Sequence, residues 1–394
     1  MRKILFVIDS LNSGGAEKSL ISLLSMLDFK KYEVDLLMFS QEGLYLPLLP
    51  KKVNVLDVPN FIKKQSLGLR SMFKNGNLKG IYYRIKRSIY LRNPYYKRKF
   101  HTSQINWKSI SNGIDELESI YDVAIAYSQG SPTYFVGEKV KADKKLCWIN
   151  TDYKIACYNK QFDENYYEQF DNIITVSDYN NKVFIEEMPI AEEKTCVVYD
   201  ILSPNLIKRM ATEGNGFHDN FNGLKILTIG RLVEAKGYDM AIEACYMLKK
   251  HGYKFKWYVI GEGNIENKLK KMVREFELED TFIFLGTFHN PYTLLNQCDI
   301  YVQPSRFEGF GLAIAEARIL QKPIVATNFP IVHNQLINGQ NGIIVNMNSE
   351  GVYKGIKQLI ENKNLRDNIC LRLRNEKVGT EEEIYKVNLL LESS

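Results

Sequence analysis

Leu224 to Gly261 reads LKILTIGRLVEAKGYDMAIEACYMLKKHGYKFKWYVIG. It opens on a short apolar run, 224–230, and closes on another, 256–261, with a helical apolar pattern over 237–250 between them. A run that is apolar without alternation belongs to a strand covered on both faces, as in a parallel sheet. Strand, helix, strand is the unit from which doubly wound α/β folds are assembled. Outward from this unit the rhythm continues. Strand-like runs recur at 281–286, 298–304 and 322–328, and an earlier series stands at 3–8, 33–39, 53–58, 121–127, 145–150 and 172–177. Most of the gaps hold helical patterns, such as 16–27.

The two series are separated by YDILSPNLIKRMATEGNGFHDNFNG, 199–223, which is polar and rich in Gly and Asn. The expected organisation is therefore two Rossmann-like domains facing one another across a cleft. The first covers residues 1–200, and 201–223 is a linker. The second covers 224–375, and 376–394 is expected as a C-terminal helix that packs back on the first domain. At 394 residues, with 45% hydrophobic and 25% charged side chains, the chain suits two globular domains. No apolar run approaches the ~20 residues of a membrane span. MRKILFVIDS reads as a first strand rather than a signal peptide. Six cysteines without a CxxC pair argue against a zinc site or a disulfide framework and suit a reducing cytosol.

In such sheets ligands bind at the carboxyl ends of strands, so the loops there are the candidates. After the first strand, Gly14 and Gly15 open a helix, where bare N–H groups can approach an anion. A tight turn alone leaves the same pattern. The loop is neither a Walker A motif, because Glu17 precedes Lys18, nor a GxGxxG. After 224–230 come Arg231 and Lys236, two cations that suit a diphosphate, Arg as a fork and Lys as a point charge. A solvated pairing with Glu234 is the alternative. Gly261 and Gly263 serve a turn.

After 298–304 comes RFEGFGLAIAE, Arg306 to Glu316. Gly309 and Gly311 open an apolar and therefore buried helix, whose N-terminal N–H groups favour an anion by ~0.3–1 kcal/mol when exposed and up to ~2 when partly buried. A carboxylate in a buried helix needs donors. For Glu316 these are ribose hydroxyls or a neighbouring Arg or Lys. Eight helical residues span ~12 Å, about the reach from a ribose across a diphosphate to a sugar.

EGFGLAIAE resembles the E-x7-E motif of retaining glycosyltransferases of the GT-B fold, most like family GT4. GRLVEAKGYDMAIEA is similar to that family's G-R-L-x3-K-G segment, SGGAEKSL to its N-terminal glycine loop, and PIVHNQLINGQNGIIV to its closing hairpin. The resemblance implies that Glu308 contacts the hydroxyls of a donor sugar and Glu316 the ribose. It implies that N–H groups around Phe310, Gly311 and Leu312 hold the phosphates, with Arg231 and Lys236 completing the clamp. It also implies no cofactor and no metal, and the chain contains no Asp-x-Asp. Two departures stand out. CWINTDY places Asn150 where many relatives have histidine, two residues before Asp152, and Asn334 stands where relatives often have glutamate. Asp152 is a candidate to orient an acceptor, or else a capping or loop carboxylate.

The expected reaction is transfer of a hexose from a nucleotide diphosphate sugar, UDP-linked, to an acceptor hydroxyl with retention of configuration. Competing readings are a non-hydrolysing sugar epimerase or a phosphorylase of similar architecture, and a non-catalytic nucleotide or nucleic-acid binder. An epimerase wants further acid and base groups, and a phosphorylase a pyridoxal lysine and a longer chain. The binder would leave the glutamate pair without a task, and no RNA-binding signature is present, so nucleic acid is not an expected partner.

Thirteen of the 52 Lys and Arg lie from Val58 to Ile114 and none of the 46 Asp and Glu; with the chain at +6, the remainder is −7. Tyr, Phe and Ile interleave with these cations in FKNGNLKGIYYRIKRSIYLRNPYYKRKF. That mixture suits an anionic membrane surface, a solvated basic helix pair, or a nucleic-acid patch. The membrane reading makes the protein a peripheral enzyme on the cytoplasmic face of the plasma membrane, acting on a lipid-linked or oligosaccharide acceptor in surface-glycan assembly.

Overall fold

Seven parallel strands in the order β3-β2-β1-β4-β5-β6-β7 form one sheet, and six in the order β10-β9-β8-β11-β12-β13 form another. The computed structural model describes residues 1–12, 14–66, 78–219 and 221–393. Ser13 of the first glycine loop, residues 67–77 of the basic segment, Asn220 of the connection and the terminal Ser394 lie outside the described residues. The chain divides into two compact units, Met1–Asp200 with Glu382–Ser394, and Ile201–Glu381.

In the first unit the strands are β1 Arg2–Ile8, β2 Tyr32–Met38, β3 Asn54–Val55, β4 Ile120–Ala126, β5 Lys141–Ile149, β6 Asn172–Thr175 and β7 Thr195–Val197. The central strand β1 pairs in parallel with β2 and β4, and Ile4, Leu5, Phe6 and Val7 are wholly buried. This is the two-sided coverage that the apolar runs require. β7 has no counterpart in the sequence reading. It is an edge strand of three half-buried residues, so it carries no continuous apolar run.

The basic segment forms the helices Asn60–Ser66, Leu78–Arg92, Pro94–Lys99 and Thr102–Ile110. The last anchors it to the unit. Buried Trp107 donates through Nε1 to Glu138 at 2.9 Å and Tyr166 at 3.0 Å, and Gln104 donates to the Asp163 carboxylate at 2.6 Å. After the second unit the chain returns to the first as the helix Glu383–Glu392. Val387 and Leu391 are wholly buried there, Arg2 donates to the Leu391 carbonyl, and Glu392 accepts from Lys31 and Tyr32, each at 3.1 Å.

In the second unit the strands are β8 Leu224–Ile229, β9 Phe255–Ile260, β10 Phe282–Phe284, β11 Ile300–Gln303, β12 Ile324–Thr327 and β13 Ile343–Val345. The order 3-2-1-4-5-6 within this sheet is that of a dinucleotide-type doubly wound fold, and the reversal falls between β8 and β11. Two expectations need correction. Residues 330–345 do not form a two-stranded hairpin: after a 3-10 turn Val332–Asn334, a turn at Gly339 closed by a single bridge between Asn338 and Gly342 leads into β13, which pairs in parallel with β12. Residues 201–223 are not a bare connection, because the described part of them belongs to the second unit. There the helix Pro204–Met210 buries Ile207 and Met210, and Asn290 and Thr293 donate to the Met210 and Glu213 carbonyls. Polar composition hid those two apolar anchors.

Candidate active site

The loops after β8 and β11 meet at the point where the strand order of the second sheet reverses. Gly237 makes the meeting possible. Its φ is +64°, and a Cβ there would stand 2.0 Å from the Pro304 carbonyl oxygen. The Arg306 and Phe307 N–H groups donate to the Ala235 carbonyl at 2.8 and 3.3 Å. The Arg306 guanidinium forks onto both Asp239 oxygens at 2.8 and 2.6 Å. Burial alone would raise Asp239, but Arg306 outweighs it and holds the carboxyl below its usual range.

This join carries Lys236 to Glu308. Lys236 Nζ lies 2.7 Å from both Glu308 oxygens. Glu308 Oε1 also accepts from Gln303 Nε2 at 2.7 Å and Ser305 Oγ at 2.6 Å. Gln303 is oriented in turn by the buried Tyr301 hydroxyl, which donates to its Oε1. The carboxylate is buried yet supplied with donors, as an ionised group inside a protein must be. Oε1 is crowded by three donors, whereas Oε2 meets Lys236 alone among the described residues and retains acceptor capacity. Lys236 has three N–H bonds and spends two on Glu308.

The Arg231 side chain is exposed and forms no hydrogen bond or ion pair among the described residues. The alternative pairing with Glu234 does not form, since Glu234 bonds Lys268 at 2.8 Å on the surface. Gly261 and Gly263 are turn residues: a Cβ would stand 2.0 Å from the Gly230 oxygen and 2.2 Å from the Leu232 oxygen.

The helix that E-x7-E enters is Leu312–Ile319, preceded by Gly311 at φ +83°. Its first N–H groups have no intrahelical acceptor. Gln335 Nε2 donates to the Phe310 and Gly311 carbonyls and holds the glycine turn from outside. Glu316 is buried in this helix, and Tyr292 donates to its Oε1 at 3.1 Å. One of the donors it needs is thus a phenol rather than an Arg or Lys. Gln303, Ser305, Tyr292 and Gln335 were missed in the sequence. Gln303 was legible in principle, because a polar side chain inside an apolar strand requires a partner.

The first unit gives its candidates different surroundings. Gly14 caps the helix Gly15–Met26, and a Cβ there would meet the Glu17 carboxylate at 2.0 to 2.8 Å. The chain's own carboxylate stands where the glycines were expected to receive an anion, so a phosphate arriving there has to displace it. Asn150 donates through Nδ2 to the Tyr127 carbonyl at 2.7 Å. Asp152 is buried, accepts from the Ile155 N–H at 2.9 Å and the Tyr179 hydroxyl at 3.3 Å, and so closes its own loop. These are the bonds expected of a loop carboxylate, and they leave each Asp152 oxygen with further acceptor capacity.

Residues 218–373 match the family described as "Glycosyl transferases group 1". Over its full length the chain superimposes on Staphylococcus aureus TarM, solved with fondaparinux, α-GlcNAc-glycerol and UDP (TM-score 0.71, 16% identity, all of both chains). It superimposes similarly on Anabaena HepE solved with UDP and glucose (TM-score 0.71, 17% identity, all of both chains). This chain is a glycosyltransferase of the GT-B fold. The glycosyltransferase is also 24% identical over 368 residues, 93% of its own length and 92% of the relative's, to a Campylobacter jejuni enzyme. That enzyme is named N-acetylgalactosamine-N,N'-diacetylbacillosaminyl-diphospho-undecaprenol 4-alpha-N-acetylgalactosaminyltransferase. The matched segment of the glycosyltransferase contains Arg231, Lys236, Glu308 and Glu316. None of its described helices is long and apolar enough to cross a membrane.

Proposed function

We propose that this glycosyltransferase is a retaining, metal-independent enzyme of the GT4 type. It moves a hexose from a nucleotide diphosphate sugar, with UDP as the nucleotide, to a lipid-linked saccharide during surface-glycan assembly. The observation that carries the reading is the Glu308 carboxylate, held by Lys236, Gln303 and Ser305 at the carboxyl ends of β8 and β11 with Oε2 the less occupied oxygen. Oε2 receives donor-sugar hydroxyls. Arg231, the remaining Lys236 N–H and the N–H groups at Gly311 and Leu312 receive the diphosphate, and Glu316 receives ribose. The bond from the anomeric carbon to the diphosphate oxygen breaks while the acceptor hydroxyl adds on the same face. The acceptor proton passes to the departing diphosphate, so no side-chain base is required. Fixed donors stabilise the charge that develops on the leaving group.

UDP in the solved TarM and HepE structures supports the choice of nucleotide, and the undecaprenyl diphosphate in the Campylobacter relative's name supports a lipid-linked acceptor. Such an acceptor places the enzyme on the cytoplasmic face of a membrane as a peripheral protein. A thermal-shift panel of nucleotide sugars tests the reading. A ligand at 100 times its dissociation constant adds ~2.7 kcal/mol to stability. UDP-sugars should raise the melting temperature of the wild type and raise it less in Arg231→Ala. A panel in which no nucleotide sugar stabilises the wild type contradicts the reading.

A further inference from the structure

The helix Leu78–Arg92 carries an apolar stripe that the fold does not use. Leu78, Tyr82, Ile85 and Ile89 are 72%, 62%, 51% and 57% exposed. Steps of four, three and four residues place them within about 60° of one another around a 3.6-residue helix. The helix already has a partner elsewhere on its circumference: Gly80 and Ile81 are buried, Tyr83 meets the Phe61 ring edge-on at 5.2 Å, and the helix packs on Thr102–Ile110. Among the described residues, the large apolar side chains on the opposite side remain largely exposed.

Cations border the stripe. Lys79 and Arg92 are exposed on the same helix and Lys86 is half-exposed beside it. The next helix, Pro94–Lys99, adds exposed Lys97, Arg98 and Lys99, with Tyr95 60% exposed. Among the described residues none of these six pairs with a carboxylate. Lys86 lies instead over the Tyr83 and Tyr90 rings at 5.9 and 5.7 Å, and Lys99 over Tyr95 at 5.7 Å. With no Asp or Glu from Val58 to Ile114, a second copy of this face would meet like charge. A nucleic acid would use the cations and the tyrosines but has no use for aliphatic Leu78, Ile85 and Ile89, which offer no π-face for a base.

We propose that this face lies in the headgroup–acyl boundary of a bilayer containing anionic lipid. The helix Leu78–Arg92 runs parallel to the membrane plane, its four apolar side chains enter the acyl edge, and the bordering Lys and Arg meet lipid phosphates. The inference deepens the lipid-linked reading by naming the surface that reaches the lipid, and its test does not depend on turnover.

Trp107, Trp148 and Trp257 are all buried, so a tryptophan introduced on the stripe reports on that stripe. The probe is Ile85→Trp with phosphatidylcholine vesicles, with and without phosphatidylglycerol, and with acyl-brominated lipid as quencher. Leu371→Trp, exposed on the second unit, is the control. The expected result is a blue shift and quenching for Ile85→Trp that require phosphatidylglycerol and weaken with salt, and no change for Leu371→Trp. Ile85→Ser with Ile89→Ser should reduce vesicle binding at least roughly tenfold while leaving UDP affinity unchanged. An unshifted Ile85→Trp spectrum with anionic vesicles at low salt overturns the proposal. So does undiminished binding of the double serine variant, which would make the attraction purely electrostatic. A blue shift that grows with protein concentration without lipid assigns the face to a second copy and also overturns it. Loss of UDP affinity in an otherwise folded serine variant would place the fault in the donor-site account instead.

Discussion

Lys236 and Glu308, 72 residues apart, are joined with Nζ 2.7 Å from each carboxylate oxygen. The pair spans the two loops that follow β8 and β11, so each residue fixes the other. Lys236→Ala leaves Glu308 with only the neutral donors Gln303 and Ser305. Glu308→Gln keeps the shape and removes the charge. A hydrogen bond to a charged group is worth ~1.5–3 kcal/mol, so each variant should lose at least roughly tenfold in kcat. The double variant should fall little further than the worse single one, because the residues act as a unit. Steady-state kinetics at saturating donor checks this, and additive losses would show that the two act separately.

Gly237→Ala should destabilise the second unit more than Gly252→Ala. Both glycines have positive φ, +64° and +78°, which costs an alanine ~1–2 kcal/mol. Only at Gly237 does the new Cβ also strike backbone, the Pro304 oxygen at 2.0 Å, whereas nothing lies within 4 Å at Gly252. Melting temperatures of the two variants, compared with wild type, isolate that clash. Equal losses would mean that the β8 and β11 loops can part without cost.

The buried core of each sheet was legible because continuous apolar runs such as 3–8 and 224–230 have no other use in a chain of this composition. β7 and β13 were not: β7 is only half-buried and carries no continuous apolar run, and Ile343–Val345 was read as part of a hairpin. Of the candidate site, Glu308, Lys236 and the Gly311 turn were legible from type and position after strands, and the structure brings Lys236 and Glu308 together. Of its support, Gln303 was signalled only as a polar side chain in an apolar strand; that it and Ser305 reach Glu308 depends on the turn of the loop between them, which leaves no pattern in the sequence. Asp152 shows the limit of local reading. A carboxylate two residues past a strand end looks the same in sequence whether it faces a ligand or caps its own loop.

Asp200, at the end of the first unit, is buried and raised to about 7, because desolvation outweighs a hydrogen bond from Ser19. Its folded value lies above its unfolded one, so the native state binds the proton more tightly. This group's contribution therefore favours folding at low pH and is lost as pH rises from about 4 to about 7. Asp200→Asn should gain stability relative to wild type at pH 8 and lose that advantage by pH 4. Denaturant melts of the two proteins across this range check the sign. A constant difference would mean that Asp200 stays ionised throughout.

Glu316→Ala should weaken binding of free UDP, because it removes the carboxylate proposed to hold ribose, whereas Glu308→Ala should leave UDP affinity near wild type and impair transfer. Tyr292→Phe, which removes one donor to Glu316 at 3.1 Å, should produce a smaller loss of UDP affinity than Glu316→Ala. Calorimetric titration of UDP into the three variants checks the order. Equal affinity in wild type and Glu316→Ala would remove ribose from the role of Glu316.

Transfer of a hexose with retention at the anomeric carbon is read from the proton NMR spectrum of the first-formed product. The wild type is given an α-linked UDP-hexose and a lipid-linked saccharide acceptor. A new α-anomeric signal should appear in step with released UDP and be lost in Glu308→Gln. A β-anomeric product, or UDP released with no new glycosidic linkage, would contradict it.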